Sequence, residues 1–401
     1  MHDASQYSVK KLRIKLSRYK RQDAAQDKMR LFCSLDFSSN RWNGIGMRLS
    51  FFSKPYSPDQ ISVSPGRRNW MRFRQQRLGY YSFLVFISLF VLSLLAELWS
   101  NDKPLLLRYQ GQWYAPLIHN YPETTFGGDF PTPADYLDPD VRVHFSESGN
   151  FALYPFNHYS FNTLNYFSNQ PHPAPPSSEN RLGTDDRGRD VLAQLVYGFR
   201  LSILFALALT AVSVFLGVLS GALMGFFGGR FDLFAQRGIE IWSAMPELYL
   251  LIIFAALLEP SVALLIILLS LFGWMGLSDY VRAEFYRNRA LEYVRAARAL
   301  GLSNWQIMWR HILPNSLTPI ITFLPFRMSA AILSLTSLDF LGLGVPPSTP
   351  SLGELLAQGK ANLDAWWISL SVFLVLGTTL LLLTLMGDAL RNAFDPRKGG
   401  I

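Results

Sequence analysis

Long apolar runs alternate with polar connections over most of this chain. Five or six runs are long enough to cross a bilayer as helices, which takes about 20 residues. They lie near 80–99, 201–227, 241–258, 260–279, 317–343 and 366–387. Only Glu259 and Pro260 separate the third run from the fourth, so this pair is expected to form a kinked hairpin with a very short turn. The pattern predicts an all-α polytopic membrane protein with about six transmembrane helices.

The composition also favours a membrane protein. Half of the 401 residues are hydrophobic and only 16% are charged, which is less charge than soluble domains usually carry. The single cysteine, Cys33, excludes an intramolecular disulfide and a zinc cluster built from cysteines. The net charge of +8 lies mostly in the first 46 residues, where ten Lys or Arg face four Asp. This distribution argues against a nucleic-acid-binding domain.

Residues 1–66 form a basic N-terminal extension, which we predict to be cytoplasmic and disordered. Seven of its basic residues could instead form a helix on an anionic inner leaflet: Lys10, Lys11, Arg13, Lys15, Arg18, Lys20 and Arg21. The extension has no apolar segment that would make it a signal peptide. A further interpretation is that translation starts at Met47, so that residues 1–46 are not made in the cell.

Lys and Arg flank the predicted spans unevenly, and this asymmetry predicts the orientation of the chain. Basic residues crowd four segments: 67–77, 230–237, 282–310 and 391–398. Lys360 is the only basic residue between 344 and 365. Both termini are therefore predicted to be cytoplasmic. The chain then divides into a first transmembrane helix with a basic lead-in at 67–99, a periplasmic insert at 100–200 and a core membrane domain at 201–398 with five transmembrane helices.

The predicted insert carries eleven Asp or Glu against seven Lys or Arg, and no long apolar run. Its many Pro, Tyr, Phe and Asn residues predict a small extracytoplasmic domain of short strands and loops. Its histidines are too scattered to indicate a metal site: His119, His144, His158 and His172. We predict that the chain binds no metal.

Three glycines in the second predicted span are spaced four residues apart: Gly217, Gly221 and Gly225. Such spacing lets another helix approach the backbone closely. The stripe predicts helix packing, either at a seam between subunits or inside this chain.

Two ionisable residues, Arg327 and Asp339, share one predicted span. A charge in lipid costs free energy, so such residues usually face the protein interior or a water-filled path. They are candidates for a translocation pathway. The alternative is that they lie near the ends of the span and extend their charged groups to the interface.

Sequence motifs of enzymes are missing. There is no phosphate-binding G-x-x-x-x-G-K-[ST] loop, and the nearest candidate, at 359–361, lacks the hydroxyl and the upstream glycine. No H-E-x-x-H or G-x-S-x-G motif occurs. The chain is therefore predicted to have no catalytic residues and to hydrolyse no ATP by itself.

The segment YVRAARALGLSNWQIMWRHILPN, residues 293–315, predicts two short helices joined by a glycine elbow. Gly301 occupies a position at which helices commonly end. Ser303 can cap the second helix, with Gln306 completing a capping box. Pro314 lies where that helix is expected to stop.

These two helices predict an exposed apolar patch with a basic rim. The apolar members are Leu300, Leu302, Trp305, Met308 and Trp309. The rim consists of Arg295, Arg298 and Arg310. A partner protein could take up the patch in a groove, or the patch could lie on the lipid surface, and the residues alone favour neither.

Residues 293–314 resemble the EAA loop of ABC importer permeases, a conserved E-A-A-x-x-x-G pattern followed by a hydrophobic residue and Pro. The matching residues are Ala296, Ala297, Gly301, Ile312, Leu313 and Pro314. The Glu of the family falls on Arg295, which leaves the apolar face as the expected contact with an ATPase. Two further runs, LGTDDRGRDVLAQLVYGFRLSI at 182–203 and LTSLDFLGLGVPPSTPSLGELLAQGKANL at 335–363, resemble the C-type permeases of oligopeptide, dipeptide and nickel importers.

The resemblance implies a type I ABC importer permease with a coupling loop at 282–314, in the bacterial inner membrane. It implies a heterodimer with a homologous B-type permease, an ATPase with two nucleotide-binding domains and a periplasmic substrate-binding protein. It also implies oligopeptide cargo, microcin C-like peptides included, with no cofactor bound directly and with ATP and Mg used by the ATPase. The alternatives are an ATP-independent secondary transporter or channel, and a membrane anchor protein.

Overall fold

The computed structural model describes residues 65–145, 149–166 and 170–394. Cys33, Met47 and the proposed basic helix lie outside the described residues. The first elements are α1 (Pro65–Gln75), α2 (Arg77–Leu94), α3 (Ala96–Trp99), β1 (Leu106–Tyr109), β2 (Gln112–Tyr114), a 3-10 turn (Glu123–Phe126), α4 (Pro139–Phe145) and β3 (Phe151–Leu153). The remaining elements are α5 (Val191–Phe227), α6 (Gly229–Ser243), α7 (Glu247–Leu257), α8 (Val262–Gly273), α9 (Met275–Asn288), α10 (Glu292–Ala299), α11 (Asn304–Gln306), a π-helix (Ile307–Ile312), α12 (Leu313–Phe340), α13 (Leu352–Ala361) and α14 (Trp366–Phe394).

Within the described residues, four helices are long and apolar enough to cross a membrane: α2, α5, α12 from Pro319 onward, and α14. Two further spans arise if α6 with α7, and α8 with α9, each count as one bent span. The predicted class, an all-α polytopic membrane protein of about six spans, is confirmed.

The third and fourth predicted spans consist of shorter helices than the apolar runs suggest. The helices on either side of Glu259 are α7 and α8, each too short to cross a hydrocarbon core of about 30 Å. Each continues into a neighbouring helix through a bend, of 65° before α7 and 42° after α8. The bend before α7 falls at Pro246, which has no backbone N–H and an extended conformation. Each of the two spans is therefore broken by a bend.

Helix α5 is the central element of the fold. It begins at Val191, so it includes the last residues of the predicted insert, and its 37 residues extend about 55 Å. The Asp190 carboxylate accepts a hydrogen bond from the Ala193 amide and caps the helix start. The first turns bury Leu195 and Phe199, so this part is packed helix and not a linker.

The insert contains an antiparallel sheet of order β2-β1-β3. On the central strand, Leu107 pairs with Tyr114 of β2 and with Ala152 of β3. One face packs into a small aromatic core that includes Phe126 and Phe145, whose rings lie 5.4 Å apart. The insert therefore has a hydrophobic core separate from that of the spans.

Candidate coupling and translocation sites

The first half of the elbow, which we define as residues 292–312, is helix α10 with its glycine cap. Gly301 has a φ of +79°, in the left-handed region. Its amide donates to the Arg298 carbonyl at 3.0 Å, and the Leu302 amide donates to the Ala297 carbonyl at 3.2 Å. These two bonds satisfy carbonyls at the end of a helix when the chain turns left-handed. No atom lies within 4 Å of a Cβ added at Gly301, so the backbone conformation alone favours glycine.

The second half of the elbow has the predicted capping box. The Ser303 hydroxyl accepts from the Gln306 amide at 3.3 Å, and the Ser303 amide donates to the Gln306 side chain at 3.0 Å. The predicted stop at Pro314 is wrong, because the chain stays helical from Asn304 to Phe340. A proline ring conflicts with the carbonyl four residues earlier in a regular helix. The π-helical turn just before Pro314 widens the backbone there and provides the physical reason for the continuation.

The structure divides the predicted apolar patch into two groups. Leu300 and Trp305 are 81% and 61% exposed. Leu302 and Trp309 are half-buried, and the Trp309 ring lies 5.1 Å from that of Trp305. Met308 is fully buried, so its predicted place in the patch is wrong. Met308 packs with Ile307 and Ile312 in a buried cluster against the spans.

The remaining predicted residues of the elbow fall on both sides of helix α10. Arg295, Ala296 and Arg298 are exposed, whereas Ala297 is buried. Arg295, at the position of the family's Glu, is thus on the solvent side of the elbow. The exposed face retains the predicted combination of apolar and basic groups.

A buried apolar cluster attaches the elbow to the spans. It joins Val294, Ala297, Ile307, Met308 and Ile312 of the elbow to residues of α5, α9 and α12. The Arg289 guanidinium donates to the Phe226 carbonyl at the end of α5 at 3.0 Å. The Asn288 amide donates to the Ser316 hydroxyl at 3.0 Å. The elbow is therefore packed closely against the ends of these helices.

The glycine stripe packs inside this chain against α9. A Cβ at Gly217 would lie 2.9 Å from the Trp274 carbonyl oxygen, and one at Gly221 would lie 2.4 Å from that of Ser278. One at Gly225 would lie 2.5 Å from the Arg282 carbonyl oxygen. These contacts fill the stripe within one subunit, which decides between the two predicted uses.

Arg327 lines a cavity of about 310 Å³ between the spans. Its guanidinium donates to the Gly273 carbonyl, where α8 breaks before α9. The same cavity is lined by Glu247 and by the hydroxyl-bearing Thr210 and Ser213. Among the described residues no carboxylate forms an ion pair with Arg327. Arg327 therefore supplies a cation to a cavity whose other polar groups are neutral hydroxyls and one acid.

Asp339 has a different role from Arg327. Its carboxylate accepts from the Val345 amide at 2.8 Å and from the Ser351 hydroxyl. It is buried and does not line the cavity of Arg327. Asp339 therefore lies apart from the cavity of Arg327. Its hydrogen bonds are used to hold the connection between α12 and α13.

A polar network at the insert end of α5 was not predicted as a site. Arg189 pairs with Asp185 at 2.7 Å, with both side chains buried. Arg187 pairs with Glu354 of α13 at 2.9 Å, and Arg189 lies 3.7 Å from the same carboxylate. Burial raises the pKa of Glu354, and the two arginines oppose this rise. We call these four residues the insert-side network. The run DDRGRD was the available signal, although its partner Glu354 is distant in sequence.

Asp190 joins the insert to α5 beside this network. Its carboxylate accepts from the Asn157 amide at 2.8 Å and from the Asn180 amide at 2.9 Å, in addition to the helix amide. Burial raises its pKa, and these three donors act in the opposite direction. The elbow and the insert-side network thus lie at opposite ends of α5.

The family model and the relatives that match this chain point to one family. Residues 213–400 match the family model described as "Binding-protein-dependent transport system inner membrane component". The chain is 50% identical over 337 residues to the inner membrane ABC transporter permease protein YejE of Escherichia coli, covering 84% of this chain and 98% of that protein. It is 47% identical over 358 residues to the peptidoglycan transport system permease protein YejE of Agrobacterium fabrum, covering 83% and 93%.

One solved structure, the inward-facing MetNI methionine ABC transporter, gives a TM-score of 0.41 at 15% identity and covers 50% of this chain and 97% of that one. The identity to the two permeases covers nearly their whole length and includes the elbow and α5. The chain therefore belongs to the family of binding-protein-dependent transport system inner membrane components, the permeases of ABC transporters.

Proposed function

We propose that this chain is one permease subunit of an importer that carries oligopeptides, microcin C-like peptides among them, across the bacterial inner membrane. Support for the cargo comes from the relatives, which include a dipeptide transport system permease of Haemophilus influenzae that is 36% identical over 218 residues. The proposed partners are a homologous B-type permease in a heterodimer, an ATPase with two nucleotide-binding domains and a periplasmic binding protein. ATP and Mg are used by the ATPase, and the chain itself binds no cofactor.

The position of the elbow is the main support for this proposal. Leu300 and Trp305 are exposed apolar groups on a segment that is packed firmly against the spans. Exposed anchors on one side and buried anchors on the other are what a helix needs to dock in a partner's groove and move the spans. The density of arginines at 282–310 favours the cytoplasmic side for this segment, with both termini on that side and the insert in the periplasm.

The proposed mechanism uses the elbow as a rigid lever. Closure of the ATPase dimer displaces Leu300 and Trp305, and the buried cluster passes the displacement to the ends of α5, α9 and α12. The spans then exchange inward and outward opening. The exchange is driven by the different affinities of the two states for nucleotide and for the loaded binding protein. The cavity of Arg327 is the proposed part of the peptide pathway in this subunit.

Peptide uptake by cells tests the proposal. Cells that make this chain with its partner subunits are given a radiolabelled tripeptide, and uptake is compared after ATP depletion and after collapse of the ion gradients. We expect ATP depletion to abolish uptake. Uptake that survives ATP depletion but ends with the ion gradients would indicate a secondary transporter instead. A chain whose loss disrupts a membrane complex but changes no solute flux would be an anchor protein.

A further inference from the structure

The insert contains a cavity of about 500 Å³ that the coupling mechanism does not use. It is bounded by the start of α4 and by the segments 156–165 and 178–181. This volume lies in the range of sites for small molecules, about 300–1,000 Å³. Its lining is mostly polar, with Asn, Ser, Thr and Tyr side chains beside five titratable groups: Asp135, Arg142, His158, Glu179 and Arg181.

Two guanidinium groups give the cavity its basic part. Arg181 lies over the Phe156 ring, 3.8 Å from its centre, and Arg142 lies 5.3 Å from the centre of the Tyr154 ring. Arg181 is exposed and forms no ion pair with any described residue. A guanidinium stacked on a ring keeps its N–H groups at the edge, where they can bind a planar carboxylate with two hydrogen bonds.

His158 lies within the electrostatic reach of both arginines. Burial lowers its pKa, and Arg142 and Arg181 lower it further. Glu179 acts in the opposite direction. The permanent positive charge of the cavity is that of the two arginines.

The cavity also has an acidic part. Glu179 and Asp135 line the same space, and the Glu179 side chain is exposed. Cations and anions around one polar cavity of this size complement a small zwitterion. An oligopeptide with free termini has this chemistry: a planar carboxylate at one end, an ammonium at the other and polar amides between.

We propose that the insert cavity is a binding site for a short peptide with free termini, in which Arg181 and Arg142 bind the C-terminal carboxylate. Glu179 binds the N-terminal ammonium. The proposal rests on the proposed peptide cargo and places a first contact with it outside the spans. The peptide would occupy this site after leaving the binding protein and before entering the pathway between the permeases.

Equilibrium dialysis tests the site on the full transporter in lipid nanodiscs, without the binding protein. The probes are radiolabelled trialanine and trialanine amide, which lacks the carboxylate. We expect saturable binding of trialanine, at least tenfold weaker binding of the amide, and at least a tenfold loss of trialanine affinity in Arg181→Gln. The amide should bind wild type and Arg181→Gln with equal affinity, because it has no carboxylate for Arg181 to bind.

The matched control is Arg108→Gln. Arg108 is also an exposed arginine of the insert stacked near an aromatic ring, with Trp113 at 5.8 Å, but it does not line the cavity. It should leave trialanine binding unchanged. An unchanged thermal unfolding midpoint of Arg181→Gln would show that its fold is intact.

Three results would overturn the inference: no saturable binding, equal binding of trialanine and its amide, or a loss of affinity in Arg327→Gln with none in Arg181→Gln. The last result would assign the peptide to the cavity between the spans. Peptide uptake by cells distinguishes failure of the insert site from failure of the proposed function. Uptake that depends on ATP, with no binding in the insert, would reject the insert site alone. Binding in the insert without any peptide uptake would reject the importer.

Discussion

The elbow and the insert-side network lie at opposite ends of α5 and are built in different ways. The elbow obtains its shape from neighbours in sequence: Gly301 turns the chain, and Ser303 and Gln306 cap each other. The insert-side network combines the local pair of Asp185 and Arg189 with partners that are distant in sequence. Arg187 donates to the Pro347 carbonyl across 160 positions. A locally encoded structure is visible in sequence, whereas a long-range one becomes visible only when the chain has folded.

The elbow and the insert-side network also differ in the surface that they expose to solvent. The elbow exposes Leu300 and Trp305 and so has apolar surface available for a partner. In the insert-side network, Asp185 and Arg189 are buried against each other and expose almost no surface to a partner. One end is therefore suited to transmit motion, and the other to hold the insert, α5 and α13 together.

The largest loss of stability is expected from Asp185→Ala. It removes the carboxylate from Arg189 and the acceptor for two backbone amides, at Arg187 and Arg189. Breaking a buried ion pair by removing one partner costs about 3–5 kcal/mol. The thermal unfolding midpoint of the purified chain should fall markedly. The control Asp186→Ala removes an exposed neighbour that lies 4.0 Å from Arg187, and should stay close to wild type. Equal midpoints for the two variants would reject the structural role of the network.

A smaller loss of stability is expected from Gly221→Ala. This substitution tests a contact that depends both on local spacing and on a distant helix. The glycine spacing is local, but the added Cβ would lie 2.8 Å from the Val281 Cβ on another helix. Overpacking of this kind costs about 1–3 kcal/mol. The control Gly377→Ala meets no atom within 4 Å in α14 and should be neutral or stabilising by up to about 1 kcal/mol. If both substitutions change the unfolding midpoint equally, α5 does not pack on α9 through this stripe.

Gly301→Val tests the elbow as a lever. The left-handed conformation costs an ordinary L-residue about 1–2 kcal/mol, and Asn tolerates it better. Since the site is open, the chain should still fold, but the elbow should lose its shape. We expect Gly301→Val to lower the peptide transported per ATP hydrolysed, with Gly301→Asn close to wild type. Normal coupling in Gly301→Val would reject the lever.

The smallest effect is expected from Ser303→Ala, which removes the cap of the second elbow helix. Loss of such a cap costs about 1 kcal/mol. Hydrogen exchange should accelerate at amides 304–307 and stay unchanged at 183–190. Asn304→Ala, an exposed neighbour without a capping role, serves as the control. Faster exchange at 183–190 would show that the two ends of α5 are not independent in stability.

The sequence predicted those parts of the fold that depend on composition and short spacing. The apolar runs predicted the spans, and Gly301, Ser303 and Gln306 predicted the turn and the cap of the elbow. Their signals are local, because a glycine cap and a capping box need only a few residues.

The errors arose where helix geometry or a distant contact decided the result. Met308 was expected in the exposed patch, but residues of distant helices pack on its side of the elbow and bury it. Asp339 and Arg327 share a span, yet Asp339 accepts a hydrogen bond from Ser351 on the connection beyond that span, which the sequence did not predict. Glu354, the second acid near Arg189, could not be identified without the fold for the same reason.

The central claim is that the exposed face of the elbow contacts the ATPase, and a crosslink tests it most directly. Cys33, the only cysteine, is replaced by Ser, and a single cysteine is placed at Leu300. Leu363→Cys is the control, since Leu363 is equally exposed but lies beside α14 at the insert end. We predict a crosslink from position 300 to the ATPase whose yield changes with ATP, and none from position 363. A reactive cysteine at position 300 that forms no ATPase adduct, with or without ATP, would contradict the account.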